Sequence, residues 1–146
     1  MFKEIELGSA EYCAQLDLRH RILRKPLGRE HTPEELQRDQ QRIHIGCFEE
    51  NEIRACLSFA NKGQGLAQMH SVAVDGFLQG QGVGALLVRF AEDFARKKGF
   101  TSVVLNARET AVPFYKKMGY EICSEMFIEV GIPHFKMKKA LFSSSK

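Results

Sequence analysis

The chain has 146 residues, 44% hydrophobic and 27% charged, enough for one core and too few for two comfortable ones, so a single domain over residues 1–146 is expected. Its net charge of +3 is spread along the sequence without a basic stripe interleaved with aromatics, which argues against nucleic acid as a partner and suits an anionic ligand only weakly. No apolar run reaches the length of a signal peptide core or a membrane span, leaving the cytoplasm by default, and four scattered cysteines without a CxxC pair read as reduced, mostly buried thiols and not as a metal site.

Residues 2–7 alternate apolar and polar, with Phe2, Ile5 and Leu7 the candidates for burial, and lead to Ser9 as a helix cap. Cys13, Leu16, His20 and Leu23 recur at helical spacing over residues 12–23, and Pro26 with Gly28 ends that pattern. Thr32-Pro33-Glu34-Glu35 then forms a capping box with a first-turn proline. The helix it opens runs to residue 41 and offers only Leu36 for burial, so it should lie on the surface or act as a mobile flap.

Residues 43–48, 53–59 and 66–74 read as three strands of an antiparallel meander, joined by Glu49-Glu50-Asn51-Glu52 and Lys62-Gly63-Gln64-Gly65. Three glycines over residues 79–84 break the pattern, after which Val83, Leu86, Leu87, Phe90 and Phe94 form an amphipathic stripe closed by Gly99. A strand at 101–106, a short helix at 110–118 stopped by Gly119, two strands at 120–128 and 134–139 around a Gly131-Ile132-Pro133 turn, and a frayed tail at 143–146 complete the chain. The expected fold is α/β (α+β): a βαβα unit embedded in a mixed, mostly antiparallel sheet of about six to seven strands flanked by about four helices.

A strand, a glycine-rich turn and a helix beginning near Gly82 aim unpaired backbone N–H groups and the positive end of a helix dipole at one point, an arrangement that favours phosphate. Taken alone, such a loop is equally a plain strand-to-helix turn. Gly82-Val83-Gly84 lacks the Gly-Lys-Ser/Thr ending of the Walker loop, and the preceding meander does not suit a dinucleotide fingerprint.

Gln79-Gly80-Gln81-Gly82-Val83-Gly84, following Ser71-Val72-Ala73-Val74-Asp75, resembles the Arg/Gln-x-x-Gly-x-Gly/Ala signature of the GNAT N-acetyltransferases. Ala111-Val112-Pro113-Phe114-Tyr115-Lys116-Lys117-Met118-Gly119-Tyr120 resembles the same family's Ala-x-x-Phe-Tyr-x-x-x-Gly-Phe segment, in the right order and spacing. The resemblance covers nearly the whole chain. It implies acetyl-CoA as cofactor, with Gln79 to Gly84 on the pyrophosphate, Val72, Ala73 and Val74 along the pantetheine arm, and Asn106 contacting that arm.

Acetyl transfer from a thioester to an amine needs a neutral amine, a polarised carbonyl and a proton for the leaving thiolate. A backbone N–H near Val74 suits the second need. By the resemblance Tyr115 serves the third, with a core tyrosine as the alternative.

Gly131-Ile132-Pro133-His134, together with residues 19–24 and Asn106-Ala107-Arg108, resembles a GNAT branch that includes small-molecule enzymes acting on glyphosate-like phosphonates. A histidine set by an Ile-Pro turn suits a general base, its reference pKa lying near 6.5, and alternatively only orders the turn. Arg24 and Arg108 match two arginines of that branch's anion clamp, whereas His70 stands where the branch has a third arginine. The resemblance thus implies acetylation of a small, anionic amine, with His134 as base, Tyr115 as acid and Arg24, His70 and Arg108 on the substrate. A protein-amine acetyltransferase and a coenzyme-A-binding module without catalysis are the alternatives, and a homodimer is compatible with either.

Overall fold

Alternation of apolar and polar residues gives β1 (Phe2–Ile5), which pairs antiparallel with β2 (Arg42–Glu49), itself antiparallel to β3 (Glu52–Gly63). The computed structural model describes residues 1–76, 80 and 82–142 and divides into two compact units, one of Met1–Ala60 with His70–Ala91, the other of Asn61–Met69 with Glu92–Lys146. The tail at 143–146 lies outside the described residues. Glu50 and Asn51, both at positive φ, make the tight turn between β2 and β3, matching the twist of the strands they join. Ile5, Ile45, Ile53, Leu57 and Phe59 are buried, but Leu7, expected to share their fate, is exposed because β1 ends at Ile5. Gly46 on β2 is needed for close packing: a Cβ there would fall 2.7 Å from Ile5 Cδ1 and 2.9 Å from Phe48 Cε1.

Helix α1 (Ala10–Arg19) is capped as expected, Ser9 Oγ accepting the Tyr12 N–H at 3.1 Å. Its buried face differs from the expected stripe: Gln15, Leu18 and Arg19 are buried, while Cys13 is exposed. The helix gives way to a π-helical turn at His20–Arg24 and a 3₁₀ turn at Lys25–Leu27, so residues at nominal helical spacing no longer share a face. Helix α2 (Pro33–Asp39) has the complete capping box, and Leu36 is exposed; the element is held by Asp39, which is buried.

Leu66–Val74 forms β4, Val83–Lys97 forms α3 and Ser102–Arg108 forms β5, with β4 and β5 parallel from Leu66↔Ser102 to Met69↔Leu105. This is the expected helical crossover. The buried stripe of α3 comprises Leu87, Val88, Ala91, Glu92 and Ala95, whereas Leu86 faces solvent. Small residues let the helix approach closely, and an apolar count that favours large side chains misplaces the stripe.

In the second unit β8 (Ile132–Ala140) runs antiparallel to β5, from Ser102↔Ala140 to Arg108↔His134. The expected strand at 120–128 is broken into β6 (Glu121–Ile122) and β7 (Phe127–Glu129), each paired with β8. Between them the Cys123 N–H donates to Lys136 O at 2.8 Å and the Lys136 N–H to Ser124 Oγ at 2.9 Å. The turn also lies elsewhere than expected: Val130 and Gly131, with φ of 47° and 75°, make a two-residue hairpin, and Pro133 lies inside β8 opposite Ile128. Pro133 is tolerated there because the ladder to β5 starts only at His134, leaving its missing N–H without a partner to lose.

A short 3₁₀ turn at Glu109–Ala111 leads into α4 (Val112–Lys117), which ends at Gly119 with φ 97°. Beneath it Tyr120 is buried, its hydroxyl donating to Glu92 Oε2 at 2.8 Å, and Lys139 Nζ donates to Glu92 Oε1 at 2.9 Å and to Met118 O at 2.7 Å. Hydrogen-bonded neighbours in the sheet follow the order β1-β2-β3-β4-β5-β8-β6, with β7 also on β8, one strand more than expected. All four cysteines are free; Cys56 is buried and its thiol pushed up to about 12, but Cys13 and Cys123 are exposed, against the expectation of mostly buried thiols. Among the described residues no helix is long and apolar enough to cross a membrane.

Candidate active site

Two groups of predicted residues fall in the first unit. Gly80 and Gly82 have φ of +84° and +80°, and among the described residues nothing lies within 4 Å of where a Cβ would stand on either. Both therefore adopt a backbone that side chains rarely reach and leave open space above the chain. Gly82 O accepts the Leu86 N–H at 3.2 Å, placing Gly82 at the cap of α3, with Val83 and Gly84 in the first turn and no acidic residue there. The first N–H groups of a helix have no partner within it, so this end suits an oxyanion. Gln79 and Gln81 lie outside the described residues.

Upstream, the β4–β5 ladder stops at Met69, and Ser71 takes φ +55°, a kink that turns the last part of β4. Val72 and Val74 there are half-buried and Ala73 is buried, with His70 half-buried just before the kink. Arg24 is engaged: its Nη2 donates to Glu35 Oε2 at 2.5 Å, with side chains 15% and 21% exposed. Burial would raise the Glu35 carboxyl, but the hydrogen bond and charge of Arg24 outweigh it and hold Glu35 below its ordinary value.

The second unit brings together Asn106, Arg108 and His134. His134 is buried, and its Nδ1–H donates to Ile132 O at 2.7 Å, so in the neutral ring Nε2 carries the lone pair. The Phe127 ring stacks on the imidazole at 5.9 Å between centroids. Nε2 faces Glu129 Oε1 at 3.6 Å, and Glu129 Oε2 accepts from Asn106 Nδ2 at 3.3 Å. Arg108 sits opposite His134 in the β5–β8 register, half-buried and without an ion pair among the described residues. Tyr115 on α4 is buried between Phe114 and Tyr120, with edge-on ring contacts at 5.0 and 5.6 Å, and burial pushes its phenol up to about 12.

Sequence reasoning missed Glu129. The hairpin at Val130-Gly131 was the signal for it, because a two-residue turn puts Glu129 across from Ile132 and on the face of His134. It also missed a buried polar network in the first unit. There Asp39 Oδ2 accepts from Arg19 Nη1 at 2.8 Å and from Tyr12 Oη at 2.6 Å, His44 Nε2–H donates to Asp39 O at 2.8 Å, and Ser58 Oγ lies 2.7 Å from His44 Nδ1. No periodicity signal marks such residues, since polarity is read as exposure.

Residues 19–141 match the family model described as "Acetyltransferase (GNAT) domain". Two Bacillus subtilis relatives are described as uncharacterized N-acetyltransferases: YjcF is 46% identical over 59 residues, 40% of this chain and 42% of YjcF, and YitI is 29% identical over 135 residues, 88% of this chain and 91% of YitI. The stretch shared with YjcF is thus less than half that relative's length. A solved aminoglycoside 6′-N-acetyltransferase complexed with coenzyme A shares the fold, with a TM-score of 0.84 at 15% identity over 100% of this chain and 99% of that one. On a family match that spans most of its length, the chain belongs to the GNAT acetyltransferase domain family.

Proposed function

We propose that this chain transfers the acetyl group of acetyl-CoA to the amine of a small molecule bearing an anionic group. The observation that carries this reading is the pair of left-handed glycines, Gly80 and Gly82, with clear space over them at the start of α3. When bound, acetyl-CoA supplies an activated thioester carbonyl for the amine to attack. The backbone of Gly80, Gly82, Val83 and Gly84 takes the pyrophosphate, with Gln79 and Gln81 assigned to the same loop. Val72, Ala73 and Val74 run along the arm, to which Asn106 is also assigned.

His134 takes the proton of the amine at Nε2, the nitrogen left with a lone pair by the Nδ1–H bond to Ile132 O. Tyr115, whose phenol stays protonated through neutral pH, gives its proton to the departing thiolate. Arg108, which has no ion pair to break among the described residues, holds the anionic group more readily than Arg24, already paired with Glu35. His70 on β4 is assigned to the substrate as well.

A screen of amines with acetyl-CoA, read by release of free thiol, tests the reading. Turnover on small amines that carry a carboxylate or phosphate supports it. Turnover confined to peptide amines overturns the substrate class, and a thermal shift with acetyl-CoA but no turnover on any amine, peptides included, overturns catalysis.

A further inference from the structure

We infer that Glu129 holds the acceptor amine, as an ammonium, against His134 Nε2. This rests on the reading of His134 as base and names the group that brings the amine to it.

One nitrogen and one face of the imidazole are already used. Nδ1–H is given to Ile132 O at 2.7 Å, Phe127 covers one ring face, and the ring is buried. The remaining edge, Nε2, meets Glu129 Oε1 at 3.6 Å. In the neutral ring both atoms are acceptors, and 3.6 Å is too long for a direct hydrogen bond but leaves each within reach of one donor nitrogen placed beside the pair. An ammonium has three N–H donors and the charge that a carboxylate attracts.

Glu129 is itself positioned. Its other oxygen accepts from Asn106 Nδ2 at 3.3 Å, and the hairpin turn fixes its backbone. Its side chain is 47% exposed while that of His134 is 5% exposed, so an amine arriving from solvent meets the carboxylate first and the base second.

The proton step balances without any further reactant. One N–H bond of the ammonium breaks as an Nε2–H bond forms, giving a neutral amine with a free electron pair and an imidazolium. That imidazolium then faces the same carboxylate, so the Glu129 charge is opposed by a cation before and after the transfer.

The test follows the His134 imidazole by NMR while methylammonium chloride is added, with tetramethylammonium chloride as a probe of equal charge and no N–H. Methylammonium should shift the His134 signals saturably, tetramethylammonium should not, and Glu129→Gln should weaken the methylammonium effect about tenfold or more, the scale of one hydrogen bond to a charged group. Glu129→Asp should retain part of it. Unmoved His20, His31, His44 and His70 signals in the Gln variant report an intact fold. A wild-type His134 that ignores methylammonium, or that responds equally in Glu129→Gln or to tetramethylammonium, overturns the inference. With an amine substrate in hand, Glu129→Gln should raise the KM for the amine about tenfold and leave the KM for acetyl-CoA unchanged. Absence of turnover on any amine, with the NMR response present, would instead overturn the catalytic reading and leave the ammonium site standing.

Discussion

Arg19 Nη1 and Asp39 Oδ2 lie 2.8 Å apart with side chains 1% and 0% exposed, so the tie between α1 and the end of α2 is an ion pair out of reach of water. Removing one partner leaves an uncompensated buried charge, a loss of about 3–5 kcal/mol. Arg19→Met should therefore destabilise the protein severely in urea titration, and Arg19→Met with Asp39→Leu should recover much of the loss. Equal stability of the single variant and wild type would show that the pair is not a tie.

Acid should loosen the same network in two stages. Burial outweighs the Asp39 interactions at His44 and holds its imidazole below the ordinary value, so the unfolded chain binds this proton first and stability falls as pH drops below about 6.5. Burial would raise Asp39, but hydrogen bonds from Arg19 and Tyr12 outweigh it and depress the carboxyl, so its contribution is present above the unfolded value near 3.9 and is lost as pH falls below that. Melting temperature against pH should show both declines, and His44→Gln should reduce the upper one, the rest belonging to His31, whose imidazole burial also holds below its ordinary value.

Acetyl-CoA should raise the melting temperature by binding only the folded chain. Gly82→Asp should abolish that rise, placing a negative charge at the oxyanion end of α3 and forcing a side chain onto φ +80°. Gly82→Ala should cost about 1–2 kcal/mol of stability from the left-handed backbone alone. An undiminished shift in Gly82→Asp would remove the loop from the cofactor.

Tyr115→Phe should lower turnover about a hundredfold while leaving acetyl-CoA affinity nearly intact, the usual scale for a lost general acid. Its stability should hardly change, because among the described residues the hydroxyl makes no hydrogen bond. Full turnover in a reaction limited by chemistry would pass the acid role elsewhere.

His134→Ala should lower turnover more than it weakens cofactor binding, the mark of a group used in the chemical step. A His134 that only orders the hairpin would lower the melting temperature and preserve turnover per folded molecule. Turnover per folded molecule and melting temperature, measured on both proteins, separate the two.

Much of the architecture was legible because it follows from local chemistry. Ser9 and the Thr32–Glu35 box fixed two helix starts, Gly99 and Gly119 fixed two ends, and a strand, glycine turn and amphipathic helix marked the parallel crossover. The misplaced features all depend on what lies across space. Pro133 reads as a turn residue, yet it fits a strand that has a neighbour on one side only at that point. Leu86 reads as core, yet Ala91 and Ala95 are what the packed side of α3 admits. Gln15, Arg19, Asp39, His44 and Glu92 are buried because each finds a partner far along the chain, which no window of neighbouring residues reveals.

The two-residue link at Val130-Gly131 constrains how this part of the chain can change over evolutionary time. Successive strand residues point to opposite faces, so a one-residue slip of β7 against β8 would carry Phe127 and Glu129 to the reverse side of the hairpin and strip His134 of both at once. Divergence here should proceed by exchange of side chains at fixed register. New acceptors would then be gained through what stands at position 129 rather than through a longer loop.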